Sequence, residues 1–156
     1  HSLGALHAQL FARLHPGEVA GVVLLEPSHP DDASHGAGEE SRLTSAIGRM
    51  LPVPREWIRR NLEAELAWAG DTATQVHSAG PFPPVPLAVV TGLRPPPRWL
   101  GGAGLVRRRQ AQHAQIAALS PHGRHLLFER SGHFPQRTEP ARVLEVLRSV
   151  AADAAR

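Results

Sequence analysis

Two short segments at opposite ends of the chain carry residue types suited to nucleophilic chemistry. Ser2-Leu3-Gly4 stands just before a stretch of helix-forming residues. A serine held in a tight strand-to-helix turn has its hydroxyl pushed out of a sheet edge. Small neighbours leave room for the backbone there, and the helix N-terminus behind it offers positive potential to a developing oxyanion. Ser131-Gly132-His133-Phe134 follows the third apolar run. A histidine in a loop just past a buried strand can hang over the same sheet edge as a general base. Each segment also has an ordinary reading. Ser2 could be a plain helix N-cap, and His133 is one of 10 histidines, most of which belong on the surface.

Two other polar clusters read more plainly. His29, Asp31, Asp32 and His35 could be forced into a metal site, but they lack helical periodicity and sit in a polar loop. They are expected to be a solvated loop. Arg107-Arg108-Arg109 is expected to be the exposed face of a helix. Nucleic-acid binding needs basic residues gathered on one face, and the other arginines are scattered.

The elements that would position Ser2 and His133 follow from hydrophobic periodicity. Ala5 to His15 has Leu6, Leu10, Phe11 and Leu14 at helical spacing and stops at Pro16-Gly17. Val19 to Leu25 is a continuous apolar run, the pattern of a parallel strand buried on both faces. A polar stretch from Ser28 to Glu40 follows. Ser41 to Leu51 and Arg55 to Ala69 read as helices, the second with a stripe of Trp57, Ile58, Leu62, Leu66 and Trp68. The Pro-rich segment 80–86 delivers the chain into a second strand, Leu87 to Thr91. A Pro- and Gly-rich loop, 92–104, leads to a helix over Leu105 to Leu119 and a third strand over Arg124 to Glu129. After a loop from Ser131 to Thr138, a closing helix runs from Pro140 to Ala155, with Val143, Val146, Leu147 and Val150 on one side. Strands alternating with helices predict an α/β fold, a parallel sheet with helices on both faces.

Composition narrows the classes further. The chain has 156 residues, enough for one domain with a real core. It has no Cys, which excludes disulfides and thiolate metal sites. No apolar run approaches the roughly 20 residues of a membrane span. The 17 basic residues are all Arg and the net charge is only +3, so the pI of about 11.1 reflects the absence of Lys, Tyr and Cys. The Arg, Ala, Pro and Gly richness suits a GC-rich bacterial genome. The chain opens on His1-Ser2 without Met, which reads as the middle of a longer sequence. A cytoplasmic location is the default expectation, with an upstream signal peptide left open.

Taken together, His1-Ser2-Leu3-Gly4 opening a helix and Ser131-Gly132-His133-Phe134 after the last strand resemble the nucleophile and the histidine of the α/β-hydrolase family. A Gly before His1 would complete G-x-S-x-G, the nucleophile elbow. The closing segment, with its Glu139-Pro140 pair, also resembles that family's last helix. The resemblance covers the whole chain. It implies the C-terminal part of such a fold, a single domain over 1–156: 1–34 with the elbow helix and a strand, a helical lid over 35–80, and 81–156 with the catalytic histidine. The family's commonest acid position, after the strand Leu87 to Thr91, is vacant, because no Asp or Glu lies between Asp71 and Glu129. Some members instead place the acid after the strand that follows the nucleophile helix, and here that position is Glu26. Leu25-Glu26-Pro27-Ser28-His29-Pro30-Asp31 is similar to the V-D-P/S-S-H-x-D segment of bacterial hydrolases. Asp31 and Asp32 are the alternative acids.

The resemblance implies a cofactor-free serine hydrolase acting on a small-molecule ester or related acyl compound, with a perhydrolase sharing the same triad. Ser2 would be the nucleophile, His133 the base, Glu26 its orienting acid and the Leu3 N–H one oxyanion donor. Trp57 and Trp68 would line the substrate pocket or dock the lid. The family's second oxyanion donor comes from an earlier loop, and losing a donor costs roughly 100- to 1000-fold in rate. These 156 residues alone are therefore expected to be inactive or poorly folded. The rival expectation is a non-catalytic relic acting as a binding domain. Neither a nucleic-acid partner nor a metal is expected, and oligomeric state is open.

Overall fold

The computed structural model describes residues 1–34, 55–100 and 102–156. Helix α1 (Gly4–Leu14) is followed by a 3-10 turn (Pro16–Glu18), strand β1 (Val22–Leu25) and a short helix α2 (Pro30–Ser34). After the long helix α3 (Arg55–Ser78) come β2 (Leu87–Gly92), a 3-10 turn (Arg98–Leu100) and α4 (Gly102–Ala117). Strand β3 (Gly123–Phe128), one turn of helix α5 (Pro135–Thr138) and α6 (Pro140–Ala154) complete the order. The expected lid helix over Ser41 to Leu51 lies outside the described residues.

The three strands form one parallel sheet in the order β1-β2-β3, with Val22 opposite Leu87 and Leu87 opposite Gly123. All six residues of β2 are buried, as its unbroken apolar run requires of a central parallel strand. Alternate side chains feed two layers. Val22, Leu24, Leu87 and Val89 pack with Ala5, Ala12 and Ile116 from α1 and α4. On the opposite face, Ala88, Val90 and Phe128 pack with Val143, Val146 and Val150 of α6. The protein is thus a mixed α/β structure, with helices on both faces of a parallel sheet.

Several elements depart from expectation. In α1 the buried face is Ala5, Leu6, Gln9 and Ala12, whereas Phe11 and Leu14 are exposed. Small alanines let this helix lie close to the sheet, so of the expected stripe Leu6 is buried and Leu10 half-buried, while Phe11 and Leu14 fall outside the contact. Likewise Leu147 is exposed and only Val143, Val146 and Val150 carry the α6 contact. Strand β1 starts three residues late, because Pro16–Glu18 coils and Val22 is the first residue to bond Pro86 O. The polar loop after β1 holds helix α2, with Pro30 in its first turn, and the loop before α6 holds α5, opened by Pro135.

Helix α3 runs nine residues past the expected end at Ala69. That continuation has few strong helix formers, yet Ala69, Thr72, Ala73 and Val76 are buried at 3-4 spacing. Thr72, Thr74 and Ser78 turn their hydroxyls back onto the carbonyls of Trp68, Gly70 and Thr74 (2.9, 3.0 and 2.9 Å). Tertiary burial overrides propensity here.

Candidate active site

The end of β1 and the start of α1 meet in a strained turn. Ser2 has φ of 51° and Glu26 has φ of 46°. They are the two non-glycine residues with positive φ among the described residues. A left-handed backbone is disfavoured for residues with a Cβ and persists only where surrounding bonds hold it. The Ser2 N–H donates to Leu25 O (3.2 Å), and its carbonyl accepts from Ser28 N (3.1 Å) and Ala5 N (3.0 Å). Ser2 and Pro27 form a one-residue parallel bridge. Ser2 is therefore stitched to both flanks of Glu26. Leu3 begins the first turn of α1, where N–H groups lack intrahelical partners.

Glu26 is buried, and its carboxylate is surrounded by donors. Oε1 accepts the Gly92 N–H at 2.7 Å, and Oε2 accepts Arg109 Nη1 at 2.9 Å. His133 Nδ1 lies 3.5 Å from the same Oε2. That nitrogen is buried and makes no hydrogen bond, so the approach is a charge contact rather than a formed hydrogen bond. Burial pushes the Glu26 carboxyl up. The facing His133 ring, the Arg109 guanidinium, the Gly92 N–H and His113 together outweigh burial and hold its pKa below the ordinary value.

The loop that carries His133 is tied down on several sides. Leu93 N–H donates to Phe128 O (2.9 Å) and Arg94 N–H to Ser131 O (2.8 Å). The Ser131 hydroxyl donates to Glu139 Oε2 (2.6 Å) and lies 2.7 Å from Thr138 Oγ1. The Ser131 bond, helped by Arg142, keeps the buried Glu139 ionised at lower pH than usual. His1 donates from Nε2 to His133 O (2.6 Å) and stacks on Phe134. Gly92 is required by close approach: a Cβ there would stand 2.3 Å from Gly132 O and 2.6 Å from Ser131 O. No hydrogen bond joins Ser2 Oγ to His133 among the described residues.

Behind Glu26 lies a directed polar chain. His113 is buried, with Nε2 2.9 Å from Pro27 O and Nδ1 2.6 Å from Thr91 Oγ1; Thr91 Oγ1 is 2.7 Å from His125 Nε2. A carbonyl only accepts, so His113 carries its proton on Nε2. Burial pushes the His113 pKa down to about 4, which leaves its Nδ1 a lone pair for the Thr91 hydroxyl. Thr91 in turn accepts from His125.

The structure thus brings Glu26 and His133 together and stitches Ser2 beside them. The alternative acids go elsewhere. Asp32 pairs with Arg108 and accepts from Gln112 (2.8 Å), and Asp31 faces His77 (3.1 Å) and His29 (3.5 Å). Trp57 belongs to α3, but its side chain lies outside the described residues, as does His35. Trp68 is 65% exposed. The arginine triplet is not wholly a solvent face, because Arg109 turns inward to Glu26 while Arg107 and Arg108 stay exposed. Gly92, Arg109 and His113 were not anticipated at the site. For Arg109 and His113 the signal was i,i+4 spacing on α4: Arg108 and Gln112 meet Asp32, and Arg109 and His113 meet Glu26-Pro27; Gly92, at the end of β2, had no such signal.

No group of three or more metal-ligating side chains occurs among the described residues, and none of their helices is long and apolar enough to cross a membrane. No family model matches the chain, and comparisons with curated proteins and with solved structures give no match.

Proposed function

We propose that the chain belongs to an α/β-hydrolase-type serine hydrolase that cleaves a carboxylic ester or related acyl compound without a cofactor. The observation that supports it best is the convergence of strained Ser2, strained Glu26 and His133 at one end of the sheet. A serine on a strained strand-to-helix turn is how such enzymes expose a nucleophile.

In this reading Ser2 Oγ attacks the acyl carbonyl as His133 takes its proton, and the Leu3 N–H stabilises the resulting oxyanion. The tetrahedral intermediate collapses to an acyl-serine, and His133 returns the proton to the departing alkoxide. His133 then takes a proton from water as the water attacks the acyl-serine, and returns that proton to Ser2 Oγ as the second intermediate collapses and the acid leaves. Glu26 orients the imidazole and stabilises its charged form. The segment 35–80 serves as the lid. Packing of Ala69 of α3 on Leu3 and Leu6, beside the elbow, favours that role.

One observation favours a second reading, a non-catalytic binding domain: Arg109 occupies the Glu26 oxygen that His133 faces, and Nδ1 is left without a hydrogen bond. Catalytic hydrogen bonds are often long before substrate binds, so the first reading accommodates this. Fluorophosphonate labelling with peptide mapping by mass spectrometry separates the two. A label on Ser2 that is lost in folded His133→Ala supports the hydrolase. A folded protein with unreactive Ser2 supports the binding domain.

A further inference from the structure

A cleft of about 250 Å³ opens between α1, α3 and α4, and none of Ser2, Glu26 and His133 lines it. Gln9 and Arg13, one turn apart on α1, form part of its wall, with Val76 and Ile116 as apolar floor. Gln9 is fully buried, yet among the described residues neither its Nε2 nor its Oε1 has a hydrogen-bond partner. Arg13 is pinned by Nη1 to Gly80 O (2.7 Å) and lies over the Phe82 ring, but its buried Nε–H is also without a partner. Among the described residues no carboxylate forms a salt bridge with this guanidinium, and burial lowers its pKa. Asp31, also in the cleft wall, is engaged by His77 and His29.

A fully buried amide with its donor and acceptor both unused is costly in a folded protein. A partly buried cation without a counter-charge adds to that cost. Left unmet are three N–H donors (two on Gln9 Nε2, one on Arg13 Nε), one acceptor oxygen on Gln9, and the positive charge of Arg13. A carboxylate supplies the charge and two acceptor oxygens, and a hydroxyl on the next carbon supplies the donor. The terminal torsion of a glutamine is soft, so the amide can turn toward such a ligand. We propose that this cleft is a binding site for a small 2-hydroxy carboxylate, with the carboxylate on Arg13 Nε and Gln9 Nε2 and the hydroxyl on Gln9 Oε1.

The test is calorimetric titration of the protein with glycolate at constant ionic strength, with acetate and chloride in parallel. Glycolate is expected to bind with a Kd of about 1 mM, as suits so small a ligand. Acetate, which lacks the hydroxyl, is expected to bind at least about threefold more weakly, and chloride not to saturate. Arg13→Met and Gln9→Leu are each expected to weaken glycolate at least about tenfold. Gln9→Leu also removes an unpaired amide, so its Tm should rise, which separates lost binding from lost folding. Ser2→Ala is expected to bind glycolate unchanged. Absence of binding, binding retained in both cleft variants, equal affinity for acetate, or loss in Ser2→Ala overturns the proposal. None of these outcomes depends on whether Ser2 is a nucleophile.

Discussion

Glu26 Oε2 is shared: Arg109 Nη1 sits 2.9 Å from it and His133 Nδ1 3.5 Å from it. The carboxylate thus holds a cation on one side and the proposed base on the other. Replacing it separates its two functions. Glu26→Gln keeps the shape but strips the charge from a mostly buried ion pair, which is expected to cost about 3 kcal/mol of stability. If Glu26 orients His133, the rate of fluorophosphonate labelling at Ser2 is expected to drop by roughly 10,000-fold in the fraction that stays folded. Urea unfolding measures the first effect and labelling kinetics the second. An unchanged labelling rate in folded Glu26→Gln would remove Glu26 from the triad.

Arg109→Met tests what holds the Glu26 charge. With the guanidinium gone, burial acts against the carboxylate with fewer opponents, so its folded pKa moves up. A carboxyl with a depressed folded pKa contributes stability that is present above its unfolded pKa and lost as pH falls through the folded one. Raising the folded value shrinks that contribution and moves acid unfolding to higher pH. Far-UV circular dichroism across the acid range checks it. Coincident curves for Arg109→Met and the parent chain would show that the pair is energetically silent.

How much of this was legible from the residues differs by element. The three strands were readable because Val22–Leu25, Leu87–Gly92 and the Leu126-Leu127-Phe128 end of β3 are compact apolar runs between Pro- or Gly-marked turns. The end of α3 was not, because Thr72 and Thr74 are poor helix formers whose burial and back-bonding become apparent only in the packed fold. The buried face of α1 was hidden for a related reason: close packing against the sheet favours Ala5 and Ala12 over Phe11 and Leu14. At the site, Ser2, Glu26 and His133 could be nominated from their places at element ends. Arg109 was missed, because only its four-residue spacing from His113 sets it apart from Arg107 and Arg108.

Gly92 is expected to tolerate no side chain. Its N–H holds Glu26 Oε1, and an added Cβ would press on the carbonyls of Ser131 and Gly132, two residues before His133 and next to it. Neither contact is with a flexible side-chain end, so the loop must move. Gly92→Ala is expected to cost about 3 kcal/mol and to slow any labelling of Ser2 by displacing His133. Equilibrium unfolding and labelling of the same preparation read both. A neutral substitution on both counts would mean the 131–133 loop is looser than its hydrogen bonds imply.

His113 provides the clearest dependence of stability on pH. Its folded pKa, near 4, lies below the ordinary 6.5 because burial disfavours the imidazolium. Above pH 6.5 the ring is neutral whether the chain is folded or not, so it costs nothing. Between pH 6.5 and 4 the unfolded chain takes up a proton that the folded chain refuses, and stability falls as pH falls. The full loss is about 3 kcal/mol by the time the pH reaches the folded pKa. Burial depresses His29 and His125 in the same direction, which steepens the fall. His113→Gln keeps an amide N–H for Pro27 O but cannot titrate. Its unfolding free energy, measured in urea at a series of pH values across this window, is expected to lie below that of the parent at neutral pH and to fall less steeply. Parallel slopes for the two proteins would show that His113 takes up its proton in the folded state, and the directed chain from His125 through Thr91 would then have to be reversed.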